Sequence, residues 1–233
     1  VGHDLRTPLA AVKASVSSLR STDIAFSPED TAELLATIEE STDQLTRLVA
    51  NLLDSSRLAA GVVTPLLAPV YVDEVVHGAL AGLSSGGPDT ERNIRERVEI
   101  DVADTMVDAD AALLERVLAN LLDNALRYAP PTGPIRVGAG SSGGRITIAV
   151  ADCGPGSHRT TTSSRPFPRS GDRHRTGGGA GGVGLTVARG FVEAMGGTIT
   201  TTDTPGGGTT MIVDLAAPVK EHPVTRILVV DDE

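Results

Sequence analysis

The chain has no tryptophan, two tyrosines and three phenylalanines, so aromatic side chains make up 2% of its 233 residues. That removes the stacking platforms on which proteins bind single-stranded nucleic acid. Basic residues are the minority: 20 Lys and Arg against 30 Asp and Glu give a formal charge of -10. Such a balance argues against a protein whose main partner is a phosphate backbone. The single cysteine, Cys153, excludes an intramolecular disulfide and fits a reducing compartment. No apolar run approaches the roughly 18–20 residues of a membrane span, and no signal peptide opens the chain. These absences predict a soluble, cytosolic chain of one or two domains. The first residue is Val1 rather than Met, and the last are Val229-Val230-Asp231-Asp232-Glu233, so both ends read as cut.

What is present begins with two helical patterns. Leu5, Leu9, Val12, Val16 and Leu19 recur at alternating steps of four and three, a heptad-like seam. Ser27-Pro28-Glu29-Asp30 reads as a helix cap with acids at the positive end. Behind it Leu34, Ile38, Leu45, Leu48 and Leu52 continue to Leu58, and Gly61 stops the helix. Residues 1–61 therefore predict an antiparallel hairpin with one apolar seam per helix. A hairpin is too thin to close a core, which favours pairing with a second copy into a four-helix bundle over packing on the rest of the chain.

Residues 62–70, with Pro65 and Pro69, read as a linker, and 71–217 as a mixed α/β unit. The pattern predicts a helix over 72–83 and a strand over 98–102. Asp110 caps a helix with Leu114, Val117, Leu118, Leu121, Leu122 and Ala125 on one face. Strands follow over 135–139 and 145–151, then a helix over 183–195 stopped by Gly196-Gly197, then a hairpin of 198–202 and 209–215. Residues 154–182, dense in Gly, Ser, Thr and Arg, read as a mobile loop.

Four short stretches can carry chemistry. In His3-Asp4-Leu5-Arg6-Thr7-Pro8-Leu9, His3 lies beside the seam and Thr7 one turn on, while Asp4 can hold the imidazole or take its proton. Pro8 lacks the N–H that would bond the Asp4 carbonyl, which allows a bend there. Alone, a His beside an Asp is most often surface decoration. In the second stretch, Asn120, Asn124 and Arg127 fall together opposite the apolar face. They are either a solvated stripe or an amide ligand for phosphate-bound Mg²⁺ beside a phosphate-binding guanidinium.

The third is Asp152-Cys153-Gly154-Pro155-Gly156, at a strand end. It is either a plain turn or a carboxylate that accepts from an exocyclic amine, with glycines admitting a base. The fourth, 177–184 into Leu185, is either a flexible segment or a glycine loop that offers a helix N-terminus to phosphate.

In their order and spacing these stretches resemble the sensor histidine kinases of two-component systems, over roughly 1–217. HDLRTPL is similar to the phosphoacceptor box, NLLDNALRY to the asparagine box, DCGPG to the first glycine box and GGVGL to the second. Ser170-Gly171-Asp172-Arg173 and the segment from Gly190 to Gly197 resemble the potassium-responsive KdpD type. The resemblance implies an α+β fold: a helical hairpin that dimerises, then an α/β sandwich ATP-binding domain of the histidine kinase/Hsp90-like type.

It implies that His3 is phosphorylated from Mg-ATP, with Asp4 as acid/base partner and Thr7 positioning water for phosphate removal. Asn124 would bind Mg²⁺ with Asn120 close by, Arg127 would meet phosphate, and Tyr128 would pack by the nucleotide. Asp152 would read the adenine amine, and Gly154, Gly156, Gly182, Gly184 and Leu185 would frame the pocket and lid. Related chaperone and mismatch-repair ATPases place a water-activating Glu four residues before the metal Asn; Asn120 stands there and cannot take a proton. The phosphoryl group would pass to an Asp of a response regulator with a KdpE-like receiver, in potassium or osmotic sensing. The parent would be an inner-membrane sensor with this part cytoplasmic and its sensing regions upstream.

Two segments depart from that pattern. Residues 157–167 replace an apolar, helix-like stretch with polar sequence that retains only Phe167, as a local frameshift would, and Thr186 replaces the last glycine of the lid motif. A degenerate lid makes a nucleotide-binding dimerisation scaffold the rival reading. The tail 218–233 resembles the first strand and acidic pair of a response-regulator receiver. His158 and His174 read as loop residues, since no ligand spacing accompanies them.

Overall fold

The computed structural model describes residues 2–21, 26–83, 88–154, 165–166 and 183–219. Helix α1 (Gly2–Arg20) runs unbroken through Pro8, and α2 (Pro28–Ala59) returns beside it. The α2 start is built as its residues predict. Ser27 Oγ accepts from the Asp30 amide at 3.0 Å, and Asp30 Oδ2 accepts from the Ser27 amide at 3.2 Å, a reciprocal capping box. Gly61, at φ +66, turns the chain out of the helix.

The single seam expected on α1 is corrected. Pro8 and Ser15 are buried, with Leu5, Val12 and Leu19 half-buried beside them, whereas Leu9 is 59% and Val16 38% exposed. The five apolar residues form one narrow stripe, and its centre is offset from the face that is buried. The face toward α2 is rotated toward Pro8 and Ser15, and Leu9 and Val16 are left on the far edge.

The second region is a sheet with helices α3 (Val72–Leu83), α5 (Ala111–Tyr128) and α6 (Val183–Ala194). The six-stranded sheet has the order β2-β4-β5-β8-β7-β6. Its strands are β2 (Val98–Asp101), β4 (Ile135–Ser142), β5 (Arg145–Ala151), β6 (Arg165–Pro166), β7 (Thr198–Asp203) and β8 (Thr209–Ala216). Only β2 and β4 pair in parallel; the other neighbours are antiparallel. Strict alternation on β5 buries Ile146, Ile148 and Val150, and β8 buries Met211, Val213 and Leu215 beside them. Leu114, Leu118, Leu121 and Leu122 of α5, with Phe191 of α6, close the core over that face. Each such side chain contributes roughly 1.5–3 kcal/mol by leaving water.

Four elements go beyond the sequence reading, among them the short β6. The end of the expected linker is strand β1 (Ala68–Tyr71), paired antiparallel with β3 (Met106–Ala109). Helix α4 (Pro88–Arg97) precedes β2. The expectations of a mobile loop over 154–182 and of a receiver-like tail fall almost wholly outside the described residues.

Candidate functional site

Helix α5 is one-sided. Its leucines, Val117 and Ala125 face the sheet, which leaves Arg116, Asn120, Asp123, Asn124 and Arg127 on the other side. The structure covers that stripe with α2, whose residues Asp54, Asn51, Arg47 and Gln44 meet it in antiparallel order. Buried Asp54 pairs with Arg116. Asn51 and Asn120 converge on Gly184: a Cβ added there would lie 2.7 Å from Asn120 Oδ1 and 3.3 Å from Asn51 Nδ2. Asp123 Oδ2 accepts from Arg127 Nη2 at 2.9 Å, and Asp123 Oδ1 lies 3.8 Å from Arg47 Nε. One carboxylate thus stands between two guanidinium groups.

A cleft of about 80 Å³ remains between the helices. It brings together Asn120, Asn124, Arg127, Tyr128, Gly184 and Leu185, and α2 supplies its opposite wall. That volume suits phosphate-sized groups and is well below the roughly 300–1,000 Å³ of a whole-ligand pocket. Among the described residues nothing hydrogen-bonds the Asn124 side chain, so its amide oxygen is open to the cleft. The described residues contain no cluster of three His, Cys, Asp or Glu able to hold a metal. A cation here would take one protein amide and complete its shell from phosphates and water, which is the way Mg²⁺ usually binds. A larger cavity of about 370 Å³, between Asp54, Val62, Asp110 and Phe191, contains none of the candidate site residues.

Asp152 follows β5 and is buried. Its Oδ1 accepts from the amides of Gly154 at 2.8 Å and Thr209 at 3.2 Å, which leaves Oδ2 with no partner among the described residues. A Cβ on Gly154 would lie 2.7 Å from the Tyr128 carbonyl oxygen, so the Asp152 turn is laid against the end of α5. His3 is in the first turn of α1, and Asp4 and Thr7 are exposed on the same helix. Equal rises along the two antiparallel helices put His3 opposite about position 45 of α2, the level at which Gln44 and Arg47 border the cleft. Gly156, Gly182, His158 and His174 lie outside the described residues.

Two family models match the chain: the His Kinase A (phospho-acceptor) domain over residues 1–61, and the histidine kinase-, DNA gyrase B- and HSP90-like ATPase over 109–219. The chain is 61% identical over 220 residues to the sensor protein KdpD of Mycobacterium tuberculosis H37Rv, covering 94% of this chain and 25% of that protein. The chain belongs to the sensor histidine kinases. It carries the two domains of a protein-histidine kinase and the α+β fold expected of them, and its second domain is of an ATP-binding family. It spans about a quarter of the length of that curated relative.

Among solved structures, the histidine kinase AdeS of Acinetobacter baumannii matches with a TM-score of 0.66 at 21% identity, over 92% of this chain and 98% of that one. A complex of the histidine kinase ThkA with the response regulator protein TrrA matches at TM-score 0.60 and 19% identity, over 95% of this chain and 61% of that one. Both are likenesses of fold.

Several residues at this candidate site escaped the sequence reading. The α2 stripe Gln44, Arg47, Asn51 and Asp54 repeats at steps of three and four, a signal hidden by attention to the leucines between them. Arg97, nearly buried, donates from Nε to the Gly133 carbonyl at 3.2 Å and from Nη2 to the Pro130 carbonyl at 2.9 Å. It thereby holds the turn after α5, against which Cys153 packs.

Asp152 gives a testable contrast. Asp152→Asn keeps an acceptor for the two amides but turns the open oxygen into a donor, which faces an amine donor badly. On the expectation that Asp152 accepts from the adenine amine, ATP affinity falls about tenfold, roughly 1.4 kcal/mol, with the melting temperature nearly unchanged. Asp152→Ala strands both amides and should also cost about 1–3 kcal/mol of stability in a denaturant titration.

Proposed function

We propose that this chain is the catalytic core of a sensor histidine kinase that transfers the γ-phosphoryl group of Mg-ATP to His3. The observation that carries this reading is the cleft in which the asparagine-box residues Asn120, Asn124 and Arg127 meet Gly184 and Leu185; counting along the paired helices brings His3 to about the same level. A ring nitrogen of His3 attacks the γ-phosphorus, the bond to the β,γ-bridging oxygen breaks, and ADP leaves with that electron pair. Asp4 accepts the imidazole proton, and Thr7 positions water when phosphate is later removed. Bound Mg²⁺ supplies charge neutralisation on the phosphates; Asn124 is the residue that would hold it.

Arg127 meets phosphate once released from Asp123, Tyr128 packs by the nucleotide, and Asp152 Oδ2 accepts from the adenine amine. Asn120, in the position of a hydrolase's base, cannot activate water, so ATP persists until His3 reaches it. Positioning and charge neutralisation then supply most of the acceleration.

The exposed Leu9 and Val16 of α1, with Leu35, Val49, Leu52 and Leu53 of α2, give the hairpin a second apolar face. Burying it against a second copy makes the four-helix bundle. The phosphoryl acceptor is an Asp of a response regulator; ThkA was solved with such a partner. Likeness to KdpD supports a KdpE-like receiver, potassium or osmotic sensing, and a cytoplasmic position in an inner-membrane sensor. No described helix is long and apolar enough to cross a membrane.

Incubation with γ-labelled ATP and Mg²⁺ tests the reading. Acid-labile, base-stable label on the chain is the expected result. Nucleotide binding without label would make it a scaffold, and steady phosphate release without label a hydrolase; either outcome overturns the proposal.

A further inference from the structure

The nucleotide site, on the reading above, is formed by the second domain, yet one wall of its cleft belongs to the hairpin. We propose that Arg47 of α2 is a phosphate-contacting residue that the hairpin lends to the site, and that it recognises the γ-phosphate of ATP.

The charge pattern points there first. Within the cleft Asp123 is the one carboxylate against two guanidinium groups, hydrogen-bonded to Arg127 at 2.9 Å and 3.8 Å from Arg47, so one positive charge is left over and Arg47 is the less tightly held of the two. A triphosphate entering this space meets net positive charge only because α2 is docked. The hydrogen bonding points the same way. Arg47 Nε is buried and makes no hydrogen bond, and its separation of 3.8 Å from Asp123 Oδ1 is beyond hydrogen-bond reach. A buried guanidinium N–H without an acceptor is unfavourable, and a phosphate oxygen in the cleft would satisfy it.

Position is the third argument. Arg47 borders the cleft at the height of His3, between the asparagine box and the acceptor helix. On the proposed reading the γ-phosphoryl group crosses that space, where the charge spread over its equatorial oxygens in the transition state would be neutralised. A guanidinium fork fits two of those oxygens, which an ammonium does not. Since Arg47 sits on the hairpin, ATP favours the docked arrangement more than ADP does, and the site loses a contact as the γ-phosphoryl group leaves.

The test compares Mg²⁺ complexes of a β,γ-imido ATP analogue and of ADP, bound to the whole chain by calorimetry. Arg47→Gln is expected to weaken the triphosphate about tenfold while ADP stays within about twofold; Arg47→Lys should fall between, near threefold. Equal losses for both nucleotides would reduce Arg47 to a docking residue. No change, or tighter triphosphate binding because Arg47 obstructs the cleft, would equally overturn the proposal. A parent chain that binds neither nucleotide overturns the kinase reading and this inference with it. A parent that binds both, with Arg47→Gln indistinguishable from it, removes the role of Arg47 alone.

Discussion

Replacing His3 with glutamine is expected to leave Mg-ATP binding within about twofold of the parent and to lower phosphoryl uptake by more than about a thousandfold. The separation follows from where the groups sit. Every residue lining the cleft lies on α2, α5 or α6, and none on α1, so on the proposed reading His3 can change without touching the nucleotide's contacts. Glutamine has a helix propensity at least as good as histidine, so the first turn of α1 persists. Its amide nitrogen, with the lone pair delocalised into the carbonyl, is no nucleophile, and label on the neighbouring Asp4 would be a base-labile acyl phosphate that the same assay distinguishes. Label and calorimetry on the same preparation read the two effects. Residual acid-labile label would place the acceptor on another residue, and loss of ATP binding would make His3 part of the nucleotide site.

How much of this was legible beforehand varies by element, for physical reasons. Helix α5 reads cleanly because all six predicted core positions of its apolar stripe are buried and Asp110 caps it, accepting from the Leu113 amide at 3.1 Å. Helix α4 is invisible to periodicity because Ile94 is the one aliphatic side chain in its sequence, set among charged neighbours. Strand β3 is four residues long and reads only through its pairing with β1. The α1 seam misleads because the buried face includes Pro8 and Ser15, a proline and a serine that an apolar pattern does not count, so spacing alone does not centre that face.

At the site, residue types and order identify the asparagine box and Asp152. They do not reveal that α2 covers the box, since that depends on how two separately readable units dock. The Gly206-Gly207-Gly208 run reads as a hairpin turn, which it is, but its contact with Asp152 is a tertiary fact.

That contact carries the largest stability effect expected here. Gly208 has φ +107, where an L side chain is strained, and a Cβ on it would overlap the Asp152 carbonyl oxygen and lie 2.8 Å from Cys153 Cα. These are backbone atoms at the end of β5, a strand paired on both sides, so they cannot yield. Gly208→Ala must therefore break the bonds between Asp152 and Thr209, namely the amide of Asp152 on the Thr209 carbonyl at 3.0 Å and the amide of Thr209 on Asp152 Oδ1. A loss of about 3–5 kcal/mol is expected, a large part of the roughly 5–15 kcal/mol that holds a domain folded. The melting temperature should fall by about 10 °C.

Two other glycines separate overlap from strain. Gly206 has φ +92 and nothing within 4 Å of an added Cβ, so Gly206→Ala should cost only the dihedral strain of about 1–2 kcal/mol. Gly140, on β4, has neither a positive φ nor a neighbour, and Gly140→Ala should be neutral within about 0.5 kcal/mol. If Gly208→Ala melts together with Gly206→Ala, the turn is not pressed on Asp152, and the rigid seat assigned to that carboxylate is lost with it.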